Sequence, residues 1–312
     1  MRCPTLSELP SPPRGRSGWP WTEESPELAH LMPDGSPWPR ISVVTPSYNQ
    51  AKFIEMTIRS VLLQGYPDLE YIVIDGGSTD GSVEIIRKYE KWLAYWVSEP
   101  DRGQSHAINK GFEKATGEIY TWLNSDDYLL KDALGHVAVA YRRSPDAGAW
   151  CGGCVRVEPN GKKVWVRWPK RLDAEGVADW NQNSFGQPAC FFSKEAWERC
   201  GPLDEELHYG MDLDLWLKMA KAVAIERVDK ELAAEHAHDE AKTEADRGRM
   251  YATQFLLQFR HGYEQFAVED ITRWMNDYLE YRRRVERMYR FPLVRRIVAP
   301  LARTVLEKLH VL

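Results

Sequence analysis

No run of eighteen apolar residues occurs in this 312-residue chain, so no helix is expected to span a membrane. The N-terminus lacks the charged start and apolar stretch of a signal peptide. Cysteine is sparse and odd in number; five residues point to reduced thiols and a cytosolic setting. Cys151 and Cys154 have CxxC spacing, but no second Cys/His pair nearby completes a zinc site. They therefore read as core or surface thiols. An excess of positive charge is missing as well: the formal net charge of -5 argues against a nucleic-acid partner for the chain as a whole.

What is present suffices for a core. Hydrophobic residues make up 43% and charged residues 28%, which fits a globular chain of one large or two small domains. Residues 1–39 hold nine of the nineteen prolines, with Trp19, Trp21 and Trp38. Proline fixes φ and removes a donor, so this segment reads as an irregular arm. Its tryptophans imply that the second half packs on the main domain. At the other end, residues 281–312 carry nine Arg/Lys and two Glu.

From residue 40 a strand–helix rhythm sets in. Ile41 to Thr45 is a compact β-branched run closed by Pro46-Ser47-Tyr48-Asn49, and a helix follows from about Ala51. Tyr71 to Ile74 is a second strand ending in Asp75-Gly76-Gly77, before a helix near Ser82. Tyr95 to Ser98 is a third, followed by Glu99-Pro100-Asp101-Arg102-Gly103 and a helix over 104–115. Alternation of this kind predicts an α/β fold with a mostly parallel, Rossmann-like sheet. Ligands of such sheets sit beyond the carboxyl ends of the strands. Thr45-Pro46, Asp75, Glu99-Pro100-Asp101 and Asp126-Asp127 all fall at such ends.

The last of these exits organises the reading. Ile119-Tyr120-Thr121-Trp122 runs into Leu123-Asn124-Ser125-Asp126-Asp127. Two carboxylates at a strand end can hold a hard divalent cation and, through it, phosphates. Alternatively, Asp127 caps the helix expected over 131–141. Further on, 149–157 and 163–168 read as a hairpin, and 186–192 as a short strand before a helix capped by Ser193. Leu215, Trp216 and Met219 have helical spacing, which puts Asp212 and Asp214 in a first turn, where acids also simply complement the helix dipole. Residues 225–228 form another strand. From about Glu244 the chain reads as helical, broken near Pro292 and Pro300. Leu293, Ile297, Leu301 and Val305 form one apolar stripe with arginines beside it. That helix suits a membrane surface or a packing or dimerisation contact.

Taken together, ISVVTPSYNQ, VIDGGSTDGS, SEPDRGQSHAINKGF, WLNSDD and HYGMDLDLW, in this order, resemble the family 2 glycosyltransferases of GT-A fold over about residues 19–245. The resemblance implies a GT-A domain over 40–245, between the arm of residues 1–39 and a basic helical extension over 246–312. It implies an inverting, metal-dependent transfer of a sugar from a UDP-, GDP- or dTDP-sugar to an acceptor hydroxyl. The acceptor would be a glycan or a lipid-linked glycan, met in the cytoplasm or at the inner membrane face. Thr45, Pro46 and Tyr48 then line the nucleoside pocket, and Tyr48 offers a ring for stacking. Asp75 hydrogen-bonds the base or is a turn acid, since Asp-Gly-Gly is also turn chemistry. Asp101 touches ribose or sugar. Arg102 reaches phosphate or pairs with Asp101 or Glu99. Asn124 and Ser125 belong to the donor side, in a triplet where the family has Asp-x-Asp and this chain has Asn first. Asp126 holds Mn²⁺ or Mg²⁺, with His238 completing the site or lying on the surface beside His236. Gln187 lies on the acceptor side. The family's catalytic base comes from an acidic pair. Here the pair is Met211-Asp212, so Asp212 is the base and Asp214 the alternative.

Overall fold

The computed structural model describes residues 1–158, 161–180, 185–236 and 246–289. His238, the tip of the expected hairpin at Pro159-Asn160, and the stripe from Leu293 to Val305 lie outside these residues. Two compact units are present, Met1–Leu257 and Gln258–Leu312.

The first unit is built on a nine-stranded sheet. Strands β1 (Ile41–Ser47), β2 (Leu69–Asp75), β3 (Tyr95–Ser98) and β4 (Ile119–Trp122) lie in the order β3-β2-β1-β4, all parallel. Helices α1 (Ile54–Leu62), α2 (Ser82–Tyr89) and α3 (Gln104–Lys114) make the crossovers. Past β4 the pairing becomes mixed. After β5 (Tyr128–Leu129) and α4 (Ala133–Arg143) come β6 (Ala147–Val157) and β7 (Lys163–Arg167), which form the expected hairpin. Then follow α5 (Ala174–Ala178), β8 (Cys190–Ser193), α6 (Lys194–Cys200), α7 (Met211–Ala222) and β9 (Ala224–His236). β8 lies antiparallel between β4 and β6, while β9 runs parallel to β6 and antiparallel to β5. No described helix is long and apolar enough to cross a membrane.

β1 and β2 read as near-continuous apolar runs because helices cover both faces of a parallel sheet, and almost every residue in them is buried. α3 lies so close to β1 that a Cβ on Gly111 would run into the Val44 side chain. Gly111→Ala should therefore cost about 1–3 kcal/mol of stability through overpacking, read as a lower melting temperature with the fold retained.

Several local readings need correction. Proline does not end β1; the strand continues through Pro46 to Ser47, with Pro46 opposite Ile74. Asp127 is not a helix cap. The residue before α4 is Asp132, at φ 63°, and β5 intervenes. The strand expected over 225–228 continues to His236, where β6 offers a long parallel neighbour. The 186–192 segment starts as a short 3-10 turn, so β8 proper begins at Cys190; the Ser193 cap is present, its Oγ accepting from the Ala196 N–H at 3.1 Å. All five cysteines are buried free thiols.

The arm of residues 1–39 is irregular as expected, but both its halves pack down. Cys3 and Leu9 are buried along with Trp21 and Trp38. One side chain of the helix layer holds it. Arg59, on α1, is fully buried. Its Nε donates to the Pro20 carbonyl at 3.0 Å, Nη1 to Pro10 at 2.8 Å and Nη2 to Trp21 at 2.9 Å. The guanidinium also lies 5.7 Å from the Trp21 ring centre.

The second unit contains the end of α8 (Arg247–Arg260) and the helix α9 (Glu264–Tyr289). Within it Gln258 donates to the buried Asp270 carboxylate at 3.1 Å.

Candidate active site

Four parallel strands side by side place their carboxyl ends on one edge, and the loops there are sewn together. The Asn49 N–H donates to Ser78 Oγ at 2.7 Å, and Asn49 Oδ1 accepts from the Thr79 N–H at 2.9 Å. The Gln50 N–H donates to Ser82 Oγ and the Ala51 N–H to Asp80 Oδ2, both at 2.9 Å. Asn49 adopts φ 52°, a left-handed conformation that Asn tolerates well. These bonds join the loop after β1 to the loop after β2.

Within this edge the donor-side residues occupy three kinds of position. Tyr48 stands at the surface, 62% exposed, with its ring free to present a face. Asp101 lies beside it: a Cβ on buried Gly76 would come within 2.7 Å of Asp101 Oδ2 and 3.3 Å of the Tyr48 ring. Glycine at 76 is thus what lets Tyr48 and Asp101 converge. Asp75 lies beneath, fully buried. Its carboxylate accepts from the Gly77 and Ser78 N–H groups and from the Ser78 and Ser98 hydroxyls, at 2.5 to 3.1 Å. Four bonds match the acceptor capacity of a carboxylate, so Asp75 is the pin of this loop. Thr45 is buried too, its hydroxyl 3.0 Å from that of Tyr71.

Arg102 is exposed and pairs with Glu205 at 2.7 Å; its partner is neither Asp101 nor Glu99. Glu99 is taken by Lys110. Glu205 belongs to the loop between α6 and α7, so the pair ties the donor-side loop to the segment that leads into Asp212.

The carboxylates after β4 are not equivalent. Asp127 is buried and accepts from Asn124 Nδ2 at 3.2 Å. Burial, then the nearby Asp126 and Glu235 charges, push it well above the ordinary carboxylate range. Asp126 is half-buried. Asn124 is part of a chain of amides: Gln104 Nε2 donates to Asn124 Oδ1 at 2.8 Å, Asn124 Nδ2 reaches Gln187 Oε1 at 3.4 Å, and Gln187 Nε2 donates to the Trp122 carbonyl at 2.8 Å. An amide suits this place because it donates to Asp127 while accepting from Gln104, which a carboxylate cannot do. Ser125 is buried, and its carbonyl accepts from Thr57 Oγ1 at 2.9 Å.

Sequence reasoning missed His236. Its Nδ1 lies 2.7 Å from the Asp126 carbonyl. A carbonyl only accepts, so Nδ1 carries the proton. The ring also lies 5.2 Å from Tyr128 and 6.0 Å from Phe53. The only hint in the sequence was the extra length of the apolar run Leu232-Ala233-Ala234 ahead of it. Glu235 beside it pairs with Arg156 and Arg167, each at 3.4 Å. Among the described residues no three His, Cys, Asp or Glu side chains gather into a ready metal cluster. A Mg²⁺-like ion needs only one or two carboxylates when phosphates and water fill the other positions. The hard oxygen donors of Asp126 fit that manner of binding.

On the far side α7 begins at Met211. Asp214 faces inward, buried, and meets Lys218 Nζ at 2.6 Å, so it serves the helix. Asp212 is half-buried, and its charge reaches Cys190 on β8. Met211 is buried, its sulfur 2.8 Å from Ser105 Oγ. α3 therefore touches both sides of the site. Gln104 holds Asn124, Ser105 meets Met211, and Asn109 brackets Leu203, its Oδ1 accepting from the Leu203 N–H at 2.9 Å and its Nδ2 donating to the Leu203 carbonyl at 3.0 Å.

The model of glycosyl transferase family 2 matches residues 42–199, which hold the edge just described and run on through nearly all of α6. The chain belongs to glycosyl transferase family 2. A putative teichuronic acid biosynthesis glycosyltransferase of Bacillus subtilis, TuaG, is 42% identical over 99 residues, 31% of this chain and 39% of that protein. The chain thus spans about two-fifths of the length of this curated relative. Among solved structures, the mannosyltransferase PcManGT of Pyrobaculum calidifontis, in complex with GDP-Man and Mn²⁺, has 25% identity and a TM-score of 0.55, over 74% of this chain and 67% of that one. S. aureus TarS 1-349, in complex with UDP-GlcNAc, has 20% identity and a TM-score of 0.58, over 70% and 66%. The α/β fold of this family 2 chain is the GT-A fold that these neighbours share.

Proposed function

We propose that this family 2 chain transfers a sugar from a nucleotide diphosphate to an acceptor hydroxyl, with inversion, in the synthesis of a polysaccharide or lipid-linked glycan. The observation that carries the reading is the span of α3. One helix fixes the distance between the Asn124–Asp126 turn and the start of α7, so a donor at the strand edge and a base at Asp212 belong to one site.

Tyr48 stacks on the base, Asp101 meets ribose or sugar, and Asp75 shapes the loop of Gly77 and Ser78 beneath them. Arg102 is exposed enough to exchange Glu205 for a phosphate. Asp126 would hold a divalent cation, which when bound neutralises charge on the diphosphate leaving group. Asp127, pushed toward its neutral form, lies behind Asp126. Asp212 takes the proton of the acceptor hydroxyl as it attacks the anomeric carbon from the face opposite the diphosphate. Gln187 stands between the Asn124 amide and the β4 carbonyl, bordering the acceptor side. Support for a nucleotide-sugar donor comes from the complexes of PcManGT and TarS. Support for a glycan product comes from TuaG.

Calorimetric titration with UDP, GDP and dTDP, each with and without Mn²⁺, tests this reading, with Asp126→Ala as control. Binding of one nucleotide that needs both Mn²⁺ and Asp126 is expected. Metal-independent binding would remove the cation from the proposal, and no binding would overturn the donor site. Met211 in place of the family's acid favours a second reading, a relative that binds the donor without turnover; tight binding with no sugar transfer would establish it.

A further inference from the structure

Helix α9 carries a pattern that the transfer reaction does not use. Ala267, Ile271, Trp274, Tyr278, Tyr281 and Val285 follow one another at intervals of four, three, four, three and four residues. This is the 3.5-residue period of a coiled-coil seam, sustained over the length of the helix. Ala267 is buried, but along the rest of the seam Trp274 and Tyr278 are each 52% exposed and Tyr281 is 66% exposed. Val268 and Met275 widen the same face and are exposed as well. At 26 residues the helix is about 39 Å long. Aromatic side chains at seam positions of such a length are not scattered surface residues.

The charges identify the occupant. Between residues 264 and 280 five acids stand against Arg273 alone; between 281 and 289 four arginines stand against Glu286 alone. The first part of the helix is acidic and the last part basic. Two such helices side by side in the same direction bring their arginines together, whereas side by side in opposite directions they set each basic end against an acidic beginning. The intrahelical pairs Arg282–Glu286 and Arg284–Glu280 are exposed and therefore weak, so they leave the arginines able to re-pair. A lipid surface suits the helix less well. Its six acids and five arginines do not make the Lys/Arg-rich polar face of an interfacial helix.

We propose that α9 is a dimerisation element, and that two copies of this chain pair through it in antiparallel fashion along the Ile271–Val285 seam. Light scattering on the full-length chain at micromolar concentration should give twice 36.1 kDa. Trp274→Glu combined with Tyr278→Glu should give the monomer mass, while Tyr278→Phe should leave the dimer intact. Both positions are exposed, so the charged variants should keep their helix content by circular dichroism. Val285→Cys should not cross-link to itself across the dimer, whereas Ile271→Cys and Val285→Cys copies, mixed, should cross-link to each other. A monomer of the unaltered chain overturns the proposal, whether residues 290–312 or another surface covers the face. A dimer that survives the charged variants overturns it as well. A monomer that sediments with vesicles of phosphatidylcholine and phosphatidylglycerol, and loses this with the same variants, assigns the seam to lipid instead.

Discussion

Asp212→Asn should lower turnover about 10²- to 10⁴-fold, the usual contribution of a positioned proton acceptor. Nucleotide affinity should stay within about twofold, because the residue lies across α3 from the donor edge. The same substitution at Asp214 should act differently. Asp214 is buried and tied to Lys218, so its loss should appear as a lower melting temperature with kcat per folded molecule largely retained. Steady-state kinetics and thermal melts on the two variants separate base from strut. Equal losses of turnover at both positions would mean that the start of α7 is a structural unit and that the base lies elsewhere.

Arg59→Met should cost about 3–5 kcal/mol, the penalty for breaking a buried charged network on one side only. The substitution removes the donors of three arm carbonyls and of the Tyr89 hydroxyl, all inside the fold. Tyr89 in turn donates to Glu55 at 2.8 Å, so the carboxylate loses its route to the guanidinium as well. A fall in melting temperature on the order of 10 °C is expected. Limited proteolysis should show cleavage within residues 10–40 first, since that is the segment Arg59 holds. Arg59→Lys should recover only part of the loss, because an ammonium cannot span three carbonyls set around a planar fork. An unchanged melting temperature for Arg59→Met would show that the arm is held by its buried tryptophans alone.

Arg59 shows where one-dimensional reading stops. Along the sequence it is an arginine within an amphipathic helix, on a face that periodicity assigns to the core. Its partners lie 38 to 49 residues away in a segment with no periodic pattern, and carbonyl acceptors carry no side-chain signature. His236 is a similar case. Strand pairing of β9 with β6 and β5 carries it to the Asp126 carbonyl 110 residues away, and register between distant strands is set by packing.

By itself the sequence determined the α/β alternation, the parallel half of the sheet, the hairpin of β6 and β7, the Ser193 cap and the motifs that mark family 2. Each of these follows from local propensity, side-chain period or a contiguous run of residues. Only the tertiary structure decided that Asp127 is buried while Asp126 is not, that Asp214 faces inward to Lys218, that Arg102 pairs with Glu205, and that Gly76 makes room for Asp101 beside Tyr48. Burial and pairing depend on which distant segments arrive next to a side chain, and that is a property of the packed chain alone.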